Sequence, residues 1–193
     1  MKIVFATANH HKLDEVSAIL GAGFELVTPA ELGITEDVPE TSDTLAGNAL
    51  QKARYIYERT GVDCFADDTG LEVAALGGAP GVRSARYAGE EHDFAANNRL
   101  LLSNLAGATD RSARFRTVIA LISGGEEHLF EGAVEGRIID EYRGGEGFGY
   151  DPVFVPEGGE LTFAEMPAEQ KNSISHRARA VEKLSNFLKT TKI

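Results

Sequence analysis

Three separated segments hold side chains whose types and spacing can do chemistry. The first is Thr7-Ala8-Asn9-His10-His11-Lys12, where a short apolar run breaks into a polar loop that opens a helix. Such a junction presents backbone N–H groups at the positive end of a helix dipole, a setting suited to phosphate, and Lys12 adds a full charge. The glycines of a Walker loop are absent, so an ordinary strand-to-helix turn with a solvated lysine gives the same pattern. His10 and His11 are adjacent on that loop, with neither a cysteine nor a third histidine nearby to complete a zinc set. The second segment is Asp67-Asp68-Thr69, directly after the apolar run VDCFA. Two neighbouring carboxylates repel unless a divalent cation or a basic partner offsets them, and an all-oxygen donor set favours Mg2+. One such acid can hold a metal that polarises water, and the same or the neighbouring acid can take the proton. A solvated Asx turn ahead of Gly70 is the alternative. The third is Phe148-Gly149-Tyr150-Asp151 together with Lys171, His176 and Arg177. An aromatic between glycines can lie against a purine face, and Arg or His at a helix start can donate to O6 and N7 of a purine edge. Aromatics that fill core space and cations that line a solvated helix give the same pattern.

These segments need elements to hold them. Lys2 to Ala6 reads as a strand, followed by an amphipathic helix with Leu13, Val16 and Leu20 inward, then a strand at Phe24 to Thr28. A longer helix carries the stripe Leu45, Ala49, Ala53 and Tyr57, with Ser42 or Asp43 near its start and Gly61 past its end. Val62 to Ala66 is a strand that delivers the two acids at its end. Leu76 to Gly89 is a glycine-rich loop, and Asp93 to Leu105 a helix with Leu101 and Leu105 inward. Ala113 to Ser123 and Leu129 to Ile139 alternate across Gly124-Gly125 as a long antiparallel hairpin. A second glycine-rich loop, Arg143 to Asp151, precedes the short strand Val153 to Val155. Thr162-x-x-Glu165 forms a capping box, and Ser175 caps a terminal helix with the stripe Val181, Leu184 and Leu188. Helices alternate with strands before the hairpin, which predicts a mixed sheet and an α/β fold.

Composition bounds the rest. The 193 residues suit one domain, and 42% hydrophobic against 25% charged residues is globular composition that excludes a disordered chain. The longest uninterrupted apolar stretch, Val118 to Ile122, is far short of the ~20 residues of a membrane-spanning helix. The first residues are too short an apolar run for a secretory signal, so the expectation is a cytoplasmic protein with no membrane partner. The single cysteine, Cys64, excludes an internal disulfide and a thiolate metal site, and reads as a small buried residue. A net charge of −11 opposes long nucleic acid, yet a local cluster of cations can still hold a small anion.

Phosphate, metal and base signals on one chain together describe a nucleotide site. The segments TANHHK (Thr7 to Lys12), ADDTGLEV (Ala66 to Val73), GGAPGVRSARYAG (Gly77 to Gly89), FGYDPVF (Phe148 to Phe154) and SHRARA (Ser175 to Ala180) resemble the inosine/xanthosine triphosphate pyrophosphatase family, in family order and over nearly the whole chain. The resemblance implies a homodimeric, Mg2+-dependent enzyme that hydrolyses ITP, dITP and XTP to the monophosphate and pyrophosphate. It implies one domain over residues 1–193: an elongated mixed β-sheet flanked by helices, two lobes with a central nucleotide cleft. Carried over by position, Thr7, Ala8, Asn9, His10, His11 and Lys12 would contact the triphosphate. Asp68 would be both metal ligand and proton acceptor, Thr69 would touch substrate, and Lys52 would face the phosphates. Phe148, Gly149, Tyr150, Asp151, Lys171, His176 and Arg177 would surround the base. One position departs from the pattern: many members carry an acidic metal ligand immediately before the residue equivalent to Asn48, and here it is Gly47. Glu40, Asp43, Asp67 or water would then substitute. A nucleotide-binding module without turnover, and a pyrophosphatase with another base preference, are the rival readings.

Overall fold

The computed structural model describes residues 1–191. In chain order the elements are β1 (Lys2–Phe5), α1 (His10–Leu20), β2 (Glu25–Val27), α2 (Leu45–Thr60), β3 (Cys64–Val73), β4 (Pro80–Gly81), α3 (Phe94–Asn104), β5 (Ser112–Ser123), β6 (Glu126–Ile138), β7 (Phe154–Pro156), α4 (Ala168–Ile174) and α5 (His176–Thr190). The strands form one sheet in the order β2-β1-β3-β5-β6-β7, with β4 paired to β3. β1 runs parallel to both β2 and β3, whereas β4 on β3 and β7 on β6 are antiparallel, so the sheet is mixed as expected. Gly124 and Gly125, both at positive φ, make the two-residue turn between β5 and β6, a conformation that side chains resist. Among the described residues no helix is long and apolar enough to cross a membrane.

The chain divides into two compact units. The first comprises Met1–Asp68, Thr117–Gly132 and the residues from Arg177 on. Side chains alternate along each strand. Ile3, Phe5, Phe65 and Leu121 therefore pack with Val16, Leu184 and Leu188 of α1 and α5, while Val4, Ala66, Ala120 and Ile122 pack with Ala49, Ala53 and Ile56 of α2. Phe5 stacks on Phe65 across the parallel pair at 4.6 Å. The second unit comprises Thr69–Arg116 and Ala133–His176. An apolar cluster there joins Leu71 and Val73 to Leu101 and Leu105 of α3 and to Phe115, Phe154 and Phe163.

Three local expectations change. β3 does not stop before the acids but runs to Val73, because Leu71 and Val73 resume its apolar pattern at full burial. The cap of α2 is Thr44, whose hydroxyl accepts from Gly47 N at 3.0 Å; Ser42 lies two residues earlier, its hydroxyl accepting from Thr44 N. Lys171 sits on a short helix, α4, that lacks the apolar stripe by which a longer helix announces itself. The capping box at Thr162 forms as expected, on a single 3-10 turn.

Candidate functional site

In the first unit, the two acids of β3 are separated by the pleat. Asp67 shares the parity of Phe65 and faces α1 and α5; Asp68 shares the parity of Ala66 and faces α2. Asp67 is 1% exposed and each of its oxygens meets a cation: Lys12 Nζ donates to Oδ1 at 3.0 Å and Arg177 Nε to Oδ2 at 3.3 Å. Burial alone would raise its pKa, but Lys12, Arg177 and Lys52 outweigh that and hold the carboxyl well below the usual range. Arg177 also donates to Glu15 on α1, so Glu15, Arg177, Asp67 and Lys12 make a chain of alternating charge that begins and ends on one helix. Burial pulls the Lys12 ammonium below its ordinary value, with Asp67 opposing and Lys52 and Arg177 adding to the effect.

Asp68 accepts a hydrogen bond at Oδ2 from Asn48 Nδ2 at 3.1 Å. Burial raises its pKa, and nearby Glu40 adds to the rise against the pull of Lys52 and Lys12. Lys52 donates to the Asp67 carbonyl at 2.6 Å and to Glu40. Burial disfavours the charge on Lys52, but Glu40, Asp68 and Asp67 more than offset it and its pKa rises. Asn48 also accepts from Ser42 N at 2.8 Å, which ties the loop before α2 to the acid. At the other end of the cluster Asn9 caps α1, its side chain accepting from Lys12 N at 3.2 Å, and Thr7 Oγ1 accepts from Asn9 N. Ala8, His10 and His11 are exposed on this turn.

Gly47 lies in the first turn of α2, where a Cβ would come 1.9 Å from Ser42 Oγ and 2.7 Å from Ser42 Cβ. The space for an acid at this position is therefore filled by Ser42. Of the replacements considered, Asp67 is engaged by two cations and Glu40 by Lys52, and the charge of Glu40 also acts on Asp68. Among the described residues no group of three or more His, Cys, Asp or Glu is placed to hold a metal. A pair of carboxylates nonetheless suits Mg2+, which takes one or two carboxylates and completes its shell with water and phosphate oxygens.

In the second unit the loop before β7 is organised by Asp151, which is 3% exposed. Its Oδ2 accepts from Phe148 N at 3.0 Å and from Lys171 Nζ at 2.7 Å. Gly147, at φ +71°, is required there, because a Cβ would sit 2.1 Å from that same oxygen. Lys171 lies 5.2 Å from the centre of the Phe148 ring, and Phe94 of α3 lies 6.0 Å from it. Phe148 is half-buried. Tyr150 belongs to the core: its hydroxyl donates to the Ser84 carbonyl at 2.6 Å and burial pushes its pKa up. His176 is 3% exposed and stacks on Phe115 at 4.6 Å. Thr69, on β3, is partly buried.

The structure thus brings Lys12, Lys52 and Asp68 together in the first unit, and Phe148, Gly149, Asp151 and Lys171 in the second. Arg177, grouped with the base by its sequence, has its guanidinium on the carboxylates of the first unit. Sequence reasoning missed Glu15, whose signal was its opposite charge three residues after Lys12 on one helix face. It also missed Asn98 of α3, which donates to the Gly149 carbonyl at 2.8 Å and lies on the stripe of Leu101 and Leu105.

The class so defined is a mixed α/β protein with a buried cation–carboxylate cluster in its first unit and a glycine-flanked aromatic loop in its second. A family model described as the Ham1 family matches residues 3–187, and the chain belongs to that family. It is 58% identical over 188 residues to a dITP/XTP pyrophosphatase of Porphyromonas gingivalis, covering 97% of both chains. Its fold is similar to that of a HAM1 protein from Coxiella burnetii, with a TM-score of 0.90 at 40% identity over 99% of this chain and 100% of that one. The Ham1 protein of Staphylococcus aureus gives 0.89 at 39% identity, over 98% of each.

Proposed function

We propose that this chain hydrolyses the deaminated purine nucleoside triphosphates ITP, dITP and XTP to the monophosphate and pyrophosphate, and so cleanses the nucleotide pool. The observation that carries the reading is the division of labour on β3: Asp67 is spent on Lys12 and Arg177, while Asp68, on the other face, keeps a raised pKa beside Lys52 and Glu40. Likeness to relatives named for dITP and XTP supports the substrate class.

The turn Thr7–Lys12 and Lys52 hold the triphosphate. Asp68, with Glu40, holds Mg2+, which when bound neutralises phosphate charge and acidifies water. Asp68 accepts the proton of the water whose oxygen attacks the α-phosphorus. The bond from that phosphorus to the oxygen bridging the β-phosphate breaks, and pyrophosphate leaves with its charge met by Lys12 and Lys52. Thr69 contacts the substrate beside them. Phe148 takes the face of the base, and Lys171 and His176 supply donors at its edge, with Gly149, Tyr150 and Asp151 shaping the loop. Arg177 acts one step back, holding Asp67. A donor aimed at position 6 suits the oxygen of hypoxanthine and xanthine and is left unpaired by the amine of adenine. The family likeness supports a cytoplasmic homodimer as part of the same reading; sedimentation equilibrium at twice the chain mass is the expected result.

The test is release of pyrophosphate from ITP with Mg2+ against a metal-free control. Release only with metal is expected, and none in either would leave a binding module. Equal kcat/KM for ITP, XTP, GTP, ATP and dUTP would overturn the base preference.

A further inference from the structure

We propose that Asn98 is the positioning residue of the 147–151 loop, setting the Phe148 platform through the Gly149 carbonyl; only the identity of what rests on that platform depends on the function proposed above. Asn98 occupies a helix position seven residues before Leu105 and three before Leu101, both fully buried, where an apolar side chain would pack. Instead a carboxamide, 3% exposed, donates to Phe94 O at 2.9 Å and to Gly149 O at 2.8 Å. Its Oδ1 is buried with no partner among the described residues, a cost that local helix stability does not explain. The two acceptors it joins are the backbone oxygens of Phe94, whose ring abuts Phe148, and of Gly149, the residue after Phe148. Gly149 is at φ +62° and its neighbour Gly147 at φ +71°, so the loop has glycine freedom on both sides of the aromatic and needs a fixed point. Asp151 supplies one from within the loop, through Phe148 N, and Asn98 supplies the other from a helix. The adjacent Asn97 extends the scheme: it accepts from Ala88 N at 2.7 Å and donates to Ala85 O at 3.0 Å, beside the Ser84 carbonyl that takes the Tyr150 hydroxyl. Helix α3 is thus a frame to which both glycine-rich loops of this unit are fastened.

The test uses Asn98→Ala and Asn98→Leu, the second filling the volume should the first fail to fold. For each, KM for ITP is compared with the inhibition constant of inorganic pyrophosphate, and amide exchange is followed by mass spectrometry. The expected result is a rise in KM of about tenfold, the worth of a buried hydrogen bond, with pyrophosphate inhibition within about twofold of the native value. Exchange should accelerate in 147–151 and stay unchanged in 99–104. Native KM and native exchange would overturn the proposal. So would equal loss of ITP and pyrophosphate affinity, which signals general damage. If the native protein releases no pyrophosphate from ITP, the functional reading fails and the exchange data alone decide the role of Asn98.

Discussion

Asp67 and Asp68 are covalent neighbours with opposite electrostatic lives, and their substitutions should differ accordingly. Asp68→Asn keeps the acceptor for Asn48 and removes the proton acceptor, so kcat for ITP should fall by about 10²–10⁴ with the circular dichroism spectrum unchanged. Full activity in that variant would remove Asp68 from the mechanism. The pH linkage also has a definite sign. A carboxyl whose pKa is raised on folding destabilises the native state above that pKa, so in EDTA at pH 7 Asp68→Asn should melt higher than the native protein. Mg2+ should then stabilise the native protein and leave the variant unmoved. Asp67 has the reverse sign: its pKa is depressed, so its stabilisation is present above the unfolded value near ~4 and is lost as pH falls below it. Asp67→Asn leaves Lys12 without its carboxylate and Arg177 still held by Glu15, and should cost about 3–5 kcal/mol in urea unfolding at neutral pH.

At the scale of elements, α2 departs from ordinary helix behaviour at its first turn. Gly→Ala inside a helix usually stabilises by about 1 kcal/mol. At Gly47 the new methyl would meet Ser42, whose backbone is held by Asn48, so Gly47→Ala should lower the melting temperature and reduce hydrolysis. In a Ser42→Gly background the loss should shrink without vanishing, because Thr44 Oγ1, 2.8 Å from the same methyl, stays in place as the helix cap, and thermal melts of the four proteins decide it. The elements themselves were largely legible. The period-2 run at Ala113 to Ser123 and the stripe of α2 each reported a single strong signal, burial of one face. What was not legible was where polar residues interrupt those signals. Asp67 and Asp68 read as the end of a strand because two charges break an apolar run, and the pattern that resumes at Leu71 and Val73, with β4 paired alongside, carries β3 past them. Arg177 read as a ligand for a base because a guanidinium at a helix start can donate to the acceptors of a purine edge. Its anions, Glu15 and Asp67, are 162 and 110 residues away and no local pattern reports them.

For the molecule as a whole, the lone cysteine offers a global probe. Cys64 is buried in β3, its Sγ donates to Ala53 O at 3.2 Å, and burial, with Asp63, pushes its pKa up to about 12. Thiolate is the reactive form, so the native protein at pH 7.5 should resist aromatic disulfide reagents and the unfolded chain should react at one thiol per molecule. Labelling at neutral pH therefore reports opening of the sheet; fast native-state reaction would show that β3 exposes Cys64 without global unfolding. The net charge of −11 gives a second whole-molecule reading. An acidic surface and a triphosphate repel, so in the proposed reading attraction is local and falls to Lys12 and Lys52.

One further consequence follows from the pleat of β3. A shift of this segment by a single residue relative to its partners would leave composition, length and hydrogen-bond count nearly untouched, yet it would hand each acid the other's surroundings. A one-residue deletion between Gly61 and Cys64, at the entry to the strand, is thus a sharper probe of strand alignment than any spectrum. Turnover survives only if the surrounding sheet forces the original alignment back and the shortened loop absorbs the loss.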